Sequence, residues 1–294
     1  MGTEAYRGFD EIFDRPATSD VVLEAEAVTV RFGGVVAVDD VDLTVGRHDT
    51  VMLIGPNGAG KSTVLNALSG AVPSTGRVCF DGRELDGVKS FRRVSAGLGR
   101  SFQEPALIEH QSVIENVMAG AHTRLRYGLT AQLLGLASAR RMEREHLERA
   151  HLLLDLLGIG READQKASSL PYGTRKLVDI ARAAVAGPKL LLLDEPSSGL
   201  DHKEREAVQS ALLALREARC VAVIAVEHHM ELVRAVATHV VALEAGCTLL
   251  SGTPDEVLGS DTVRSALTEA ASLAREPEAA ATRNSARPYP VGDR

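Results

Sequence analysis

An α/β fold built on a parallel sheet follows from three features of the sequence. Apolar runs of strand length at 51–54, 190–193, 221–226 and 240–243 alternate with longer stretches of helical periodicity. The first of those runs leads straight into a glycine-rich turn that ends in a lysine. The 294 residues, 45% hydrophobic and 25% charged, hold enough apolar material for one large domain or two subdomains with a sizeable core.

Taken in chain order, residues 1–20 are polar and irregular and read as a flexible leader without the apolar stretch of a signal peptide. Residues 21–30 alternate apolar and polar side chains, as a half-buried strand does, and 35–45 alternate likewise after Gly33-Gly34, which predicts a hairpin. The run 51–54 is wholly apolar, the pattern of a strand covered on both faces. A helix follows the glycine-rich turn through Leu68, and strand-like stretches come at 77–80 and 97–102. From about 104 to 170 the periodicity is helical. Ser112 and Glu115 form a capping box for a helix carrying Val113, Ile114, Val117 and Met118, and a second helix over 137–157 is stopped by Gly158. Strands then return, and Thr253 with Pro254 marks one more helix start. Residues 269–294, rich in Ala, Arg, Pro and Glu, read as a disordered tail.

Composition excludes several classes. Lys and Arg number 33 against 40 Asp and Glu, and the resulting net charge of −7 argues against a nucleic-acid binder. No run approaches the ~18 apolar residues of a membrane helix, so the chain is not expected to span a membrane by itself, which leaves docking on one open. Cys79, Cys220 and Cys247 are far apart and odd in number, which fits buried thiols in a reducing compartment.

The segment Gly55-Pro56-Asn57-Gly58-Ala59-Gly60-Lys61-Ser62-Thr63 fits G-x-x-x-x-G-K-[ST] without a mismatch over its first eight residues. Glycines let the backbone curl so that successive N–H groups point at phosphate oxygens, and the helix that follows presents its positive end to the same anion. Lys61 supplies a cation to the β- and γ-phosphates, and the Ser62 hydroxyl is a Mg²⁺ ligand. A second apolar strand ends in Asp194-Glu195. Lying beside the first strand, Asp194 would hold the metal through water, and Glu195 would polarise the attacking water. The bland alternative is a pair of solvated acids at a helix cap.

The order phosphate loop, Gln103, Leu170-Pro171-Tyr172-Gly173, Asp194-Glu195, Ser198-Gly199-Leu200-Asp201 and His228 resembles the ATP-binding subunit of an ATP-binding cassette (ABC) transporter, over roughly 21–267. The resemblance implies a P-loop NTPase (RecA-like) core at 21–103 and 172–268, an antiparallel β subdomain, and a helical subdomain inserted at 104–171. It implies ATP and Mg²⁺ as ligands, with Phe32 against adenine, Gln103 on Mg²⁺ and water, and His228 on the γ-phosphate. Leu170 to Thr174 matches the family's signature, Leu-Ser-Gly-Gly-Gln in most relatives, and departs at Pro171, Tyr172 and Thr174. Pro171 has no donor to offer, so the backbone N–H groups around Gly173 would carry the anion contact. Two subunits, like or unlike, pair head to tail in this family, with Asp201 in the cross-interface loop.

Stretches 31–38, 100–103, 170–173, 226–230 and 252–257 are similar to the branched-chain amino acid uptake group, whose relatives also carry other amino acids, amides or urea. That implies an ATPase coupled to two membrane permease subunits and, through them, to an external substrate-binding protein, at the cytoplasmic face of the plasma membrane. A permease helix would enter a groove lined by Leu107, Ile108, Val113, Ile114 and Val117, unless that stripe is internal core. The competing class is a soluble ABC ATPase of translation or DNA repair. His229 replaces the acid usual in relatives, and a metal site at His228-His229 is disfavoured because neighbours on a strand point to opposite faces.

Overall fold

The computed structural model describes residues 20–121, 137–218 and 221–273; the leader, the tail beyond 273 and Cys220 lie outside the described residues. Strands β1 (Val21–Phe32) and β2 (Val35–Gly46) form the expected hairpin, from Phe32↔Val35 at the turn to Val21↔Gly46. β4 (Thr75–Phe80) and β5 (Arg83–Glu84) extend it to an antiparallel sheet of order β2-β1-β4-β5. The stretch read at 77–80 therefore belongs to this sheet and not to the parallel one.

The second sheet has the order β10-β9-β3-β8-β7-β6 and joins β3 (Thr50–Ile54), β6 (Leu98–Arg100), β7 (Leu190–Asp194), β8 (Ala222–Val226), β9 (His239–Glu244) and β10 (Cys247–Gly252). All its pairings are parallel except the β9/β10 hairpin. Its central strands are apolar throughout because both faces are covered. Met52, Ile54, Leu191, Leu193, Val223 and Ala225 face the helical layer, while Val51, Leu53, Leu190, Leu192, Ala222 and Ile224 face the antiparallel sheet. The 97–102 strand is shorter than expected, and strands β5 and β10 had no period-2 run to announce them.

Helix α1 (Lys61–Leu68) packs beneath the antiparallel sheet, followed by α2 (Ser90–Ala96). Between β6 and β7 come α3 (Val113–Gly120), α4 (Ala137–Leu156) and α5 (Tyr172–Ala184). The Ser112/Glu115 capping box opens α3, and Gly158, at φ 75°, follows the end of α4. After β7 come α6 (His202–Glu217), α7 (Met230–Val236), α8 (Pro254–Gly259), capped by Thr253, and α9 (Asp261–Leu273). The apolar stripe proposed as a groove is mostly internal: Leu107, Val113 and Val117 lie in the core, Ile114 packs against it, and Ile108 is exposed. A closed helical layer buries that stripe for the same reason any amphipathic helix does. The cysteines are not uniformly buried either: Cys79 is half-buried and Cys247 exposed.

Candidate active site

The phosphate loop emerges from the C-terminal end of β3, inside the sheet, where open α/β sheets place their ligands. Two of its glycines are obligatory. Gly55, at φ 145°, runs so close to β9 that a Cβ would sit 2.1 Å from the Leu243 carbonyl oxygen. Gly60, at φ 95°, would place a Cβ 2.5 Å from the Ala37 carbonyl. Gly60 is also the N-cap of α1 and contributes no side-chain cap, so the N–H groups at Lys61, Ser62 and Thr63 open the helix without a side-chain acceptor from the cap. Asn57 and Gly58 are exposed on the rim, and Pro56 and Ala59 turn the loop. Lys61 is buried, and its Nζ donates to the carbonyls of Gly55 and Pro56, each at 2.8 Å. Burial lowers its pKa, against the opposing pull of Glu195 and Asp194.

Asp194 closes β7, which is separated from β3 by β8 instead of lying next to it. Its carboxylate nevertheless reaches the loop: Ser62 Oγ donates to Asp194 Oδ1 at 2.9 Å. The Arg100 guanidinium stands 3.8 Å from Asp194 and donates to the Asn66 Oδ1 and Ser69 Oγ. Burial lowers the Arg100 pKa, with Asp194 opposing. Glu195 accepts from Gln103 Nε2 at 3.2 Å and has the left-handed backbone angle φ 49°, unusual outside glycine. The structure thus brings Lys61, Ser62, Gln103, Asp194 and Glu195 into one cluster, with Asp194 buried and Glu195 half-buried and hydrogen-bonded to Gln103. Ser62 Oγ, an Asp194 carboxylate oxygen and Gln103 Oε1 are hard oxygen donors of the kind Mg²⁺ takes, so the residues present fit that ion.

His228 follows β8 between the two strands that carry the loop and the acids, with its ring exposed and its N–H donated to Glu227 Oε2 at 3.2 Å. Other site residues are placed apart. Phe32, half exposed, ends β1 beside the Gly33 turn. Pro171 is the N-cap of α5, with Leu170 buried before it and Tyr172 exposed after it. Gly173 N donates to Glu204 Oε1 at 3.0 Å, and a Cβ on Gly173 would meet the Glu204 side chain at 2.8 Å. Asp201 caps α6 in a capping box with Glu204, so one carboxylate receives both the Gly173 and the Asp201 N–H. Among the described residues no hydrogen bond joins 170–174 to the phosphate loop.

Lys176 and Ser197, to which the sequence assigns no role, hold this site together with Arg100, Glu227 and His229. Behind the acids, Lys176 is a buried cation and Arg100 a partly buried one, its side chain 10% exposed. Glu227, fully buried, accepts from Ser197 N at 3.0 Å, Ser197 Oγ at 2.7 Å and His228 N. His229 Nδ1 meets Ser197 Oγ at 2.8 Å. Because that hydroxyl's one proton goes to Glu227, the imidazole N–H is the donor in this contact. The strand argument against a His228-His229 metal site fails here: both residues lie past the end of β8, with rings 4.1 Å apart. Ligand atoms of Glu227, His228 and His229 fall within 4.8 Å of one another, but the carboxylate is already occupied by three N–H and O–H donors.

The chain is similar to known proteins over most of its length. Residues 38–198 match the ABC transporter family model. The chain is 36% identical over 251 residues to the high-affinity branched-chain amino acid transport ATP-binding protein BraF of Pseudomonas aeruginosa, covering 85% of this chain and 98% of that one. It is likewise 36% identical to LivG of Salmonella typhimurium, of the same description, covering 86% of this chain and 100% of that one. Among solved structures it is similar to the ADP conformation of MJ1267, an ATP-binding cassette of an ABC transporter, with TM-score 0.72 and 26% identity, covering 84% and 98% of the two chains. On these likenesses the chain belongs to the ABC transporter family, as an ATP-binding ATPase subunit.

Proposed function

We propose that this chain powers an importer for branched-chain amino acids, or for closely related amino acids, amides or urea. The observation that carries this reading is the 36% identity sustained over 98–100% of the length of two relatives named for branched-chain amino acid transport. Those names are transport names, so the reading as a translation or DNA-repair ATPase finds no support in them. As an ABC ATPase the subunit works with membrane permease components, and no helix among the described residues is long and apolar enough to cross a membrane. We assign it to the cytoplasmic face of the plasma membrane, bound to two permeases, with a second ATPase subunit, like or unlike, facing it.

In the proposed cycle the N–H groups of 58–63 and Lys61 hold the triphosphate of ATP, and Phe32 stacks on adenine. Ser62, Asp194 and Gln103 would hold Mg²⁺, which when bound neutralises charge on the β- and γ-phosphates. Glu195 orients and polarises the attacking water, and His228 contacts the γ-phosphate. The second subunit's signature, Leu170-Pro171-Tyr172-Gly173, closes over that phosphate, with Asp201 at the interface. Phosphate release removes the charge that bridges the halves, and they part.

The test is ATPase activity of the assembled permease complex against a panel of amino acids, amides and urea, each with its binding protein. Stimulation by leucine, isoleucine or valine supports the reading; stimulation by none of the panel overturns it. In the same complex Glu195→Gln should keep ATP bound and lose turnover by at least roughly the general-base factor of 10². Full turnover would remove Glu195 from the mechanism.

A further inference from the structure

Lys176 is a buried cation without a role in the cycle proposed for ATP. It lies on α5, three residues past Gly173, and is only 3% exposed. An ammonium at that depth is costly unless its N–H groups are satisfied. Here they are satisfied by main-chain carbonyls rather than by a carboxylate. Nζ donates to the Gln103 carbonyl and, at 3.2 Å, to the Glu195 carbonyl, and it lies 5.6 Å from the centre of the Tyr172 ring. One side chain therefore grips the backbone on both sides of the Gln103–Glu195 contact and touches the signature from which its own helix starts.

Glu195 needs such a grip. Its φ of 49° is a conformation that an L side chain adopts only when its surroundings impose it. Its N–H donates to Val226 at 3.2 Å, and its carbonyl accepts from Ser198 N at 3.1 Å as well as from Lys176. Of these restraints, the Lys176 contact alone comes from the signature helix. Burial lowers the Lys176 pKa, and Asp179, Glu195, Glu227 and Asp194 act against that.

We propose that Lys176 is a positioning residue for hydrolysis, fixing Glu195 and Gln103 relative to each other and tying both to the signature helix. The pose of the water-activating carboxylate then follows the position of α5. This rests on the reading of Glu195 given above. The proposal separates hydrolysis from nucleotide capture, because Lys176 makes no hydrogen bond to the phosphate loop.

The experiment measures steady-state kcat, and equilibrium affinity for a non-hydrolysable ATP analogue, on the full chain in its permease complex. The variants are Lys176→Arg, Lys176→Gln and Lys176→Met, beside Glu195→Gln. Arginine keeps charge and donors, glutamine keeps two donors on a shorter arm, and methionine keeps only the bulk. The expected order of kcat is wild type, Arg, Gln, Met, with methionine at least about tenfold down, as for a displaced catalytic group. Analogue affinity should stay within twofold across the series. Equal kcat throughout overturns the proposal, as does an affinity that falls in step with kcat. If methionine prevents folding, the Arg and Gln variants decide by the same criteria. An active Glu195→Gln would instead sink the assignment of Glu195, and would do so whatever the lysine series shows.

Discussion

Replacing Glu227 tests how much of the site depends on one buried carboxylate. The side chain is fully buried and accepts three hydrogen bonds, two from Ser197, itself fully buried, and one from the His228 N–H. In Glu227→Ala the His229 imidazole must change tautomer before the Ser197 hydroxyl can donate to Nδ1, 2.8 Å away, and the Ser197 N–H is left without an acceptor. An unsatisfied buried donor costs about 1–3 kcal/mol, and the space left by the side chain adds to it, so a loss of about 2–4 kcal/mol is expected. For a chain of this size each kcal/mol moves Tm by about 2–4 °C, which predicts a fall of roughly 5–15 °C. Glu227→Gln keeps the volume and one carbonyl acceptor but turns an NH₂ toward a donor, so it should fall between wild type and alanine. Because Ser197 lies two residues after Glu195, and His228 follows Glu227 directly, turnover should fall in the same order. Thermal melts of both variants with ATPase rates at a temperature where all are folded make the check. Two variants within about 0.5 kcal/mol of wild type would refute the reasoning, since that is the range of inert surface changes.

Further outcomes follow from the same geometry. Lys61→Ala should weaken ATP binding, measured by fluorescent-nucleotide titration, while leaving the fold intact, because the ammonium's acceptors, the Gly55 and Pro56 carbonyls, belong to the phosphate loop itself. Gly60→Ala should lose nucleotide affinity more completely, since the new Cβ meets the Ala37 carbonyl at 2.5 Å and the backbone sits at φ 95°; full affinity in the same titration would contradict the reading of the loop. Burial first, then the His228 charge and that of Arg205, lower the His229 pKa from its ordinary 6.5, with Glu227 opposing. The unfolded chain then takes up the proton before the folded one, so stability is lost as pH falls through 6.5 toward the lower folded value. Melting curves from pH 7.5 to 5 should fall more steeply for wild type than for His229→Asn, and parallel curves would refute the assignment.

Which of these residues could be read from the sequence is decided by the range of the interaction that places them. The phosphate loop was legible because strand, turn and helix are contiguous, and each glycine answers a local demand on φ. The capping boxes at Ser112 and Thr253 were legible for the same reason, since donor and acceptor lie three residues apart. The six-stranded order was not: nothing local says that β8 inserts between β3 and β7, so Asp194 was expected beside the first strand when it is one strand removed. The stripe of 107–117 shows the converse limit: periodicity identified a buried face and left open whether core or a partner helix covers it, and the core does.

The residues whose structural role is not legible in the sequence share a physical type. Lys176, Arg100 and Glu227 are charged groups in the interior whose partners are largely backbone groups or neutral polar side chains, from segments far away in sequence. A charge read in sequence is by default a solvated one, because its desolvation cost is visible there and its compensation is not. In the sequence Lys176 stands in the polar run Thr174-Arg175-Lys176, and Glu227 between the apolar run 221–226 and His228. Only the packing of α5 against β7 and of the 195–201 loop against the 227–229 segment supplies the acceptors and donors that make these charges tolerable. Reacting groups can therefore be recognised by their motif. The groups that hold them at the right angle come from elements the motif does not contain, which is why removing Lys176 or Glu227 should cost turnover although neither belongs to any phosphate-binding pattern.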